Sequence, residues 1–226
     1  MSILYIVATP IGNLGDMTYR GVETLKAVDF VAAEDTRESK KLLSAYDIHK
    51  PVLSCRAANE KNSAAGLVKL LSEGKSIAYV TDAGTPGVSD PGAVLVRIVR
   101  DAGFQVVPIP GASAFSALVS VCGFPGKTVT FEGFLPMKEG KRRKRLEELL
   151  PRKEAFVLYE SPFRIIKLLE EITAQDPGRH VLLGREMTKN FEEFLEGTAE
   201  KVLKDLREKP ILKGEFALLV SGEFFN

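Results

Sequence analysis

The sequence predicts an α/β protein of two domains, with a mostly parallel sheet in its N-terminal half. Three observations carry that expectation. Short β-branched runs alternate with amphipathic helical stretches, the pattern of β-α-β units. Loops rich in glycine and proline follow the first, fourth and fifth of those runs. The breaker cluster Gly123-Phe124-Pro125-Gly126 then separates two periodic stretches and marks a hinge, giving domains 1–122 and 123–226.

Taken in order, the apolar run at 3–8 reads as a buried strand followed by a Pro/Gly loop. Thr18 opens a helix with Val22, Leu25 and Val28 on one face, and 30–33 is a second strand. Thr36 caps a helix carrying Leu42, Leu43 and Tyr46, and 52–54 is a weak third strand. Asn59 opens a helix that stops at Gly74, a position suited to a left-handed C-cap. A fourth strand at 77–80 leads to Asp90-Pro91, read as an N-cap with proline at the first helical position, and that helix ends at Gly103. A fifth strand at 106–109 precedes a helix over 114–121. Beyond the hinge, strands are expected at 129–131, 155–159, 181–183 and 216–220. Helices are expected at 144–150, at 163–173 with Ser161 as its cap, and at 199–209.

Composition narrows the function. The chain has 226 residues, 45% hydrophobic and 27% charged, which excludes a mainly disordered or collagen-like protein. Lys and Arg number 31 against 30 Asp and Glu, a formal net charge of +1, with neither half strongly basic. No global basic field of the histone kind exists, so any nucleic-acid contact must be local. Cys55 and Cys122 lie far apart, and His49 and His180 stand alone, so neither a disulfide scaffold nor a metal site is expected. The first eight residues lack a positive n-region, and no apolar run approaches the ~20 residues that span a membrane. The expectation is a cytoplasmic protein without a membrane.

Three common signatures fail. No G-x-G-x-x-G follows the first strand. Gly126-Lys127-Thr128 imitates the end of a phosphate-binding loop, but Val121 stands where the first glycine belongs. No G-x-S-x-G elbow is present. What remains are three loops, at 9–16, 82–87 and 108–114, each at the carboxyl end of an expected strand, where open parallel sheets collect ligands. Charged clusters follow the same geometry: Glu34-Asp35-Thr36-Arg37, Tyr159-Glu160-Ser161-Pro162-Phe163-Arg164 and Arg185-Glu186-Met187-Thr188-Lys189. Helix capping by Thr36 and Ser161 explains the acids but not the recurring cations. Finally, six of the eight residues from Lys138 to Arg145 are basic. That run reads either as a solvated helix start or as a grip on a phosphate backbone.

The loops together resemble one family. Its motifs are matched by 8–16, 33–37, 81–86, 108–114, 132–136, 159–162, 185–189 and 213–215, in order and over nearly the whole chain. On these residues the chain is similar to the ribosomal RNA small subunit methyltransferase I family of the tetrapyrrole methylase-like superfamily. One stretch departs: the family's histidine-containing segment is replaced by Ser54-Cys55-Arg56-Ala57-Ala58, with Asn59 and Glu60 retained. The resemblance implies two α/β domains of the tetrapyrrole methylase type, a homodimer, and S-adenosylmethionine held in a cleft between domains. It implies 2′-O-methylation of a cytidine ribose in the decoding region of small-subunit rRNA, within the assembled 30S subunit. Gly84, Thr85, Val88, Ser113 and Ala114 are the implied cofactor contacts, joined by Tyr159 and Phe216 from the second domain. Pro10 and Gly12 line the same site on the methyl-acceptor side.

In-line attack by a ribose hydroxyl on a sulfonium methyl needs positioning above all, and a group to take the proton. Asp35, Glu34 and Lys189 are the candidates for that group, with Arg37 holding a phosphate or carboxylate bidentately. Lys141, Arg142, Arg143, Lys144 and Arg145 are the expected RNA contacts. A methyltransferase acting on a tetrapyrrole precursor, and a non-catalytic cofactor- or RNA-binding module, are the alternatives.

Overall fold

The computed structural model describes residues 2–124, 126–209 and 212–222. The chain divides into two compact units, Met1–Ser113 and Ala114–Asn226. Of the expected hinge, Gly123 and Phe124 belong to the second unit, and Pro125 lies outside the described residues.

In the first unit, β1 (Ile3–Val7), β2 (Phe30–Ala33), β3 (Val52–Ser54), β4 (Ile77–Val80) and β5 (Gln105–Ile109) form one sheet in the order β3-β2-β4-β1-β5. Every pairing in it is parallel. The connecting helices are α1 (Tyr19–Ala27), α2 (Thr36–Ala45), α3 (Glu60–Ser72) and α4 (Ala93–Asp101). Because successive side chains alternate across a strand, β4 divides its burial between two layers. Ile77 and Tyr79 pack with Leu67 and Leu71 of α3 and with Leu95 and Val99 of α4. Ala78 and Val80 pack with Leu25 of α1 and Leu43 of α2. Both faces are therefore covered, which is why β4 is an unbroken apolar run. Each leucine fully buried this way contributes roughly 1.5–3 kcal/mol. Gly74 stops α3 at φ +87°, a backbone conformation that favours glycine.

Two helix starts in this unit differ from the sequence expectation. Asp35, not Thr36, caps α2, its carboxylate accepting from the Arg37 N–H at 2.8 Å. Asp90-Pro91 does not open α4, whose N-cap position is Gly92. The missing acceptor comes from a distant residue: Glu60 Oε1 takes the N–H groups of both Gly92 and Leu95 at 2.9 Å.

In the second unit, β6 (Val129–Phe134), β7 (Ala155–Glu160), β8 (His180–Arg185), β9 (Glu193–Thr198) and β10 (Phe216–Val220) form a mixed sheet in the order β6-β7-β10-β8-β9. Only β6 and β7 pair in parallel. One face carries α6 (Glu139–Leu149), α7 (Ile165–Gln175) and α8 (Ala199–Arg207), through Leu146, Leu149, Leu168, Ile172, Val202 and Leu206. The other face is covered by α5 (Ala114–Ser120), whose Leu118 packs with Val157, Leu182 and Leu219. β9 was not expected. It is a charged edge strand whose residues alternate between half-buried and exposed, the composition that keeps an edge from pairing with another chain. Ser161 does not cap α7, which begins at Ile165 without a side-chain cap. α6 begins at Glu139, five residues earlier than expected, so most of the basic run lies inside it.

Candidate functional site

Strand order fixes where a ligand belongs in the first unit. β1 and β4 are neighbours, yet their following helices α1 and α4 lie on opposite faces of the sheet. That divergence opens a crevice at their carboxyl ends, the usual ligand position in open α/β sheets. The two loops are joined at the floor of the crevice. Thr9 N–H donates to Gly84 O at 2.9 Å, and Gly84 N–H donates back to Thr9 O at 3.0 Å. The buried Thr9 hydroxyl also donates to Thr81 O at 3.2 Å. Gly84 sits at φ +80°, and a Cβ there would reach Ile11 Cγ2 at 3.4 Å.

A third loop closes on these two. Thr85 Oγ1 donates to Ala112 O at 3.1 Å, tying the loop after β4 to the loop after β5. A Cβ on Gly111 would lie 3.0 Å from Ala8 Cβ, so glycine there permits the close approach. The N–H groups of Gly111, Ala112 and Ser113 have no partner among the described residues. Three loops thus bring side-chain-free backbone, free amide donors and the aliphatic Val88 to one place. That donor set suits a nucleoside carrying an amino-acid tail, which asks for backbone hydrogen bonds and apolar contact rather than a charged grip. The expected residues Pro10, Gly12, Gly84, Thr85 and Ser113 belong to these loops, and Val88 directly follows the second of them. Ala114 follows Ser113 directly as the first residue of α5.

Beside the crevice, β2 ends in Glu34-Asp35 next to the β4 loop, with the Asp35 N–H donating to Asp82 Oδ1 at 3.0 Å. The three acids differ in character. Arg37 grips Asp35 in a fork, Nε to Oδ1 at 3.1 Å and Nη2 to Oδ2 at 2.7 Å, and holds its carboxyl well below the usual range. Burial, then the nearby Asp82 charge, pushes Glu34 up, and burial does the same to Asp82. Glu34 is therefore the better proton acceptor of the expected pair, while Asp35 is spent on Arg37 and on capping α2. Asp82 was missed by the sequence reading. Its loop was singled out, but that β4 lies beside β2 is a fact of strand order.

Lys189 lies in the second unit, where its ammonium donates to Glu186 Oε1 and Glu215 Oε2, both at 2.8 Å. Burial works against its charge, but the two carboxylates prevail and hold its pKa above the ordinary lysine value. It is a clamped cation, not a base. Tyr159 Oη accepts from Phe115 N–H at 2.8 Å, and the ring packs edge-on against Phe131 and Phe134. Phe216, by contrast, is 3% exposed and belongs to the core beneath α6–α8, on the sheet face opposite Tyr159. A molecule against the Tyr159 face meets Ala217, the register partner of Tyr159, rather than Phe216.

The expected RNA contacts also divide. Arg142 is buried, with Nε and Nη2 donating to Glu171 Oε2 and Oε1 at 2.7 and 2.6 Å and Nη1 to Met137 O at 3.2 Å. It is a structural residue with no group free for a phosphate. Arg145 bridges Glu132 and Glu148, and Arg143 reaches Glu139 at 3.4 Å. Lys141 and Lys144 remain exposed without an ion-pair partner among the described residues.

Where the chain departs from the expected histidine segment, Cys55 is fully buried, and burial pushes its thiol up to about 11. The retained residues act structurally. Asn59 Oδ1 accepts from Arg56 N–H at 3.0 Å, and Glu60 caps α4. A separate groove of about 350 Å³, lined by Leu43, Ile48, His49 and Lys50, lies at the amino end of β3, the edge of the sheet away from these loops.

Residues 3–203 match the model of the tetrapyrrole (corrin/porphyrin) methylases. The chain is 50% identical over 222 residues to a ribosomal RNA small subunit methyltransferase I from Borrelia garinii subsp. bavariensis, covering 97% of this chain and 98% of that protein. The chain belongs to that methyltransferase family. A family member from Bacillus subtilis is 43% identical, over 98% of this chain and 76% of its own length. Among solved structures, the family fold is shared with uroporphyrin-III-C-methyltransferase from Thermus thermophilus, at a TM-score of 0.70 and 20% identity over 99% and 95% of the two chains. A cobalt precorrin-4 methyltransferase gives 0.69 and 20% over 97% and 94%.

Proposed function

We propose that this protein transfers a methyl group from S-adenosylmethionine to the 2′-hydroxyl of a cytidine ribose in the decoding region of small-subunit rRNA. The observation that carries the reading is the 50% identity, over 97% of this chain and 98% of the other, to a protein named for small-subunit rRNA methylation. The three converging loops and the raised carboxyl of Glu34 supply what such a transfer requires.

The bound cofactor supplies an electrophilic methyl on a sulfonium centre, so the acceptor needs only alignment and deprotonation. Gly84, Thr85 and the free amides at 111–113 hold the cofactor's polar groups, and Val88 offers apolar contact. Glu34 accepts the ribose proton, because burial disfavours its charged form and raises its basicity. Asp82 shares that role through the field it places on Glu34. Arg37, already committed to Asp35, orders the entrance of α2. In this reading the protein works in the cytoplasm as a homodimer on the assembled 30S subunit, in keeping with the family its motifs match.

The test is transfer of a labelled methyl to small ribosomal subunits from a strain lacking the modification, followed by nuclease mapping. Label on one cytidine 2′-oxygen is the expected outcome. Cofactor binding without transfer to RNA would overturn it and favour a tetrapyrrole precursor as acceptor.

A further inference from the structure

Three large apolar side chains stand in solvent near one edge of the second unit: Phe134 at 55% exposure, Met137 at 82% and Phe163 at 93%. Phe134 ends β6 beside Tyr159 of the parallel strand β7, and Phe163 follows β7 in the turn that opens α7. Met137 lies in the turn between β6 and α6. Its carbonyl is held by the buried Arg142–Glu171 pair, so its position is fixed by the core. Lys167 of α7 reaches Glu139 in the first turn of α6 at 2.6 Å, stitching the two helix starts together. Lys138 follows Met137 directly, and Lys141 and Lys144 continue from it at three-residue spacing along α6, all exposed and without an ion-pair partner among the described residues. The acids around them are mostly committed: Glu139 to Lys167 and Arg143, Glu148 to Arg145, leaving Glu147.

We infer that this surface is a platform for a single-stranded segment of RNA, with Phe134 and Phe163 stacking on bases, Met137 packing beside them, and the three lysines following the phosphates. The inference rests on the proposed rRNA function and names the part of the protein that holds the strand. Exposed rings next to unpaired cations are the composition of single-strand binding surfaces, because every unpaired base offers a face to stack. A duplex hides those faces and leaves only shape and backbone to read. A second copy of this chain is a poorer occupant, since it would bury the three lysines against the same patch, where of the neighbouring acids only Glu147 is left to pair with them.

Titration of the whole protein with a short fluorescent single-stranded oligoribonucleotide at several salt concentrations tests this. The K138Q/K141Q/K144Q variant is expected to lower the slope of log affinity against log salt by about 2, at about 0.7 per phosphate lost. Phe134→Ala and Phe163→Ala are each expected to weaken binding by about tenfold. A charge-matched K61Q/K69Q/K204Q variant should leave the slope in place. On ribosomal subunits the lysine variant should raise KM and keep kcat. An unchanged slope and unchanged KM in the lysine variant would overturn the platform while leaving methyl transfer standing. Conversely, wild-type protein that binds the oligonucleotide with the expected slope but methylates no subunit would remove the proposed reaction and keep the platform. A change of oligomeric state on Phe163→Ala, seen by light scattering, would assign the patch to a second copy instead.

Discussion

Replacing Glu60 by alanine should loosen the protein at a place that bears on cofactor binding. Helix α4 starts at a glycine that has no side chain to cap it, and the Glu60 carboxylate takes the N–H groups of Gly92 and Leu95 at 2.9 Å. Glu60 is nearly buried, so water does not readily replace it. Leaving two buried donors unmet costs roughly 1–3 kcal/mol each, about 2–6 kcal/mol together. Glu60→Gln keeps an oxygen in place and loses only the attraction between a negative charge and the helix start, about 0.3–1 kcal/mol. The alanine variant should therefore lose several times more stability than the glutamine variant. The chain has no tryptophan, so urea unfolding is best followed by far-UV circular dichroism. Calorimetry should show cofactor affinity falling with it, because the 85–92 segment that ends at this cap contains Thr85 and Val88. Equal losses for alanine and glutamine, or a loss below about 0.5 kcal/mol for alanine, would show that α4 is capped by other means.

Further predictions follow from the same geometry. Arg142→Met should cost about 3–5 kcal/mol, because it strands the buried Glu171 carboxylate, and the R142M/E171M pair should recover most of that in a double-mutant cycle. Glu34→Gln should reduce kcat by about 10²–10⁴-fold with little change in cofactor affinity. Its carboxyl is raised in the folded protein, so its contribution to stability is present below the ordinary glutamate pKa and is lost as pH rises through the folded value. Glu34→Gln should thus melt higher than the parent at neutral pH, and the gap should close in acid. Asp35 runs the other way: its lowered carboxyl contributes above the ordinary aspartate range and ceases to as pH falls through the folded value, so Asp35→Asn should melt lower than the parent at neutral pH, with the difference closing in strong acid. Gly84→Ala forces a side chain into φ +80°, about 1–2 kcal/mol of strain, so cofactor affinity should drop.

Much of the first unit was readable because its helices and strands have unlike periods. Fully apolar runs such as 77–80 announced buried parallel strands, and Gly74 announced a helix end. The three ligand loops were legible for the same reason, since each follows such a run. What could not be read was anything set by strand order or by distant partners. Glu60 capping α4 spans 32 residues of sequence, and Asp82 meets the Asp35 amide across 47. β9 was missed because an edge strand needs charges on its open side, and Glu193, Glu196 and Gly197 mask the strand signal. The basic run misled for a related reason. A sequence shows six cations as alike, whereas one helix turns Arg142 into the core and leaves Lys141 outside.

The paired hydrogen bonds between Thr9 and Gly84 have one more implication, for how this unit can adapt to what it binds. β1 and β4 run in parallel, but just past their ends the chains meet in antiparallel fashion, so the pair acts as a clasp across the mouth of the sheet. Opening it breaks both bonds at once, and the Thr9 hydroxyl adds a further tie to Thr81. The floor is therefore stiff, and it registers the two strands and their loops as one piece. Accommodation of ligands of different shape falls to the exposed tip at 12–16, which the Tyr46 hydroxyl ties through Leu14 O, and to the 87–92 segment. Within the first unit, differences in substrate preference among relatives sharing this clasp should accordingly concentrate in those two short stretches, and engineering of specificity can begin there without disturbing the seat beneath.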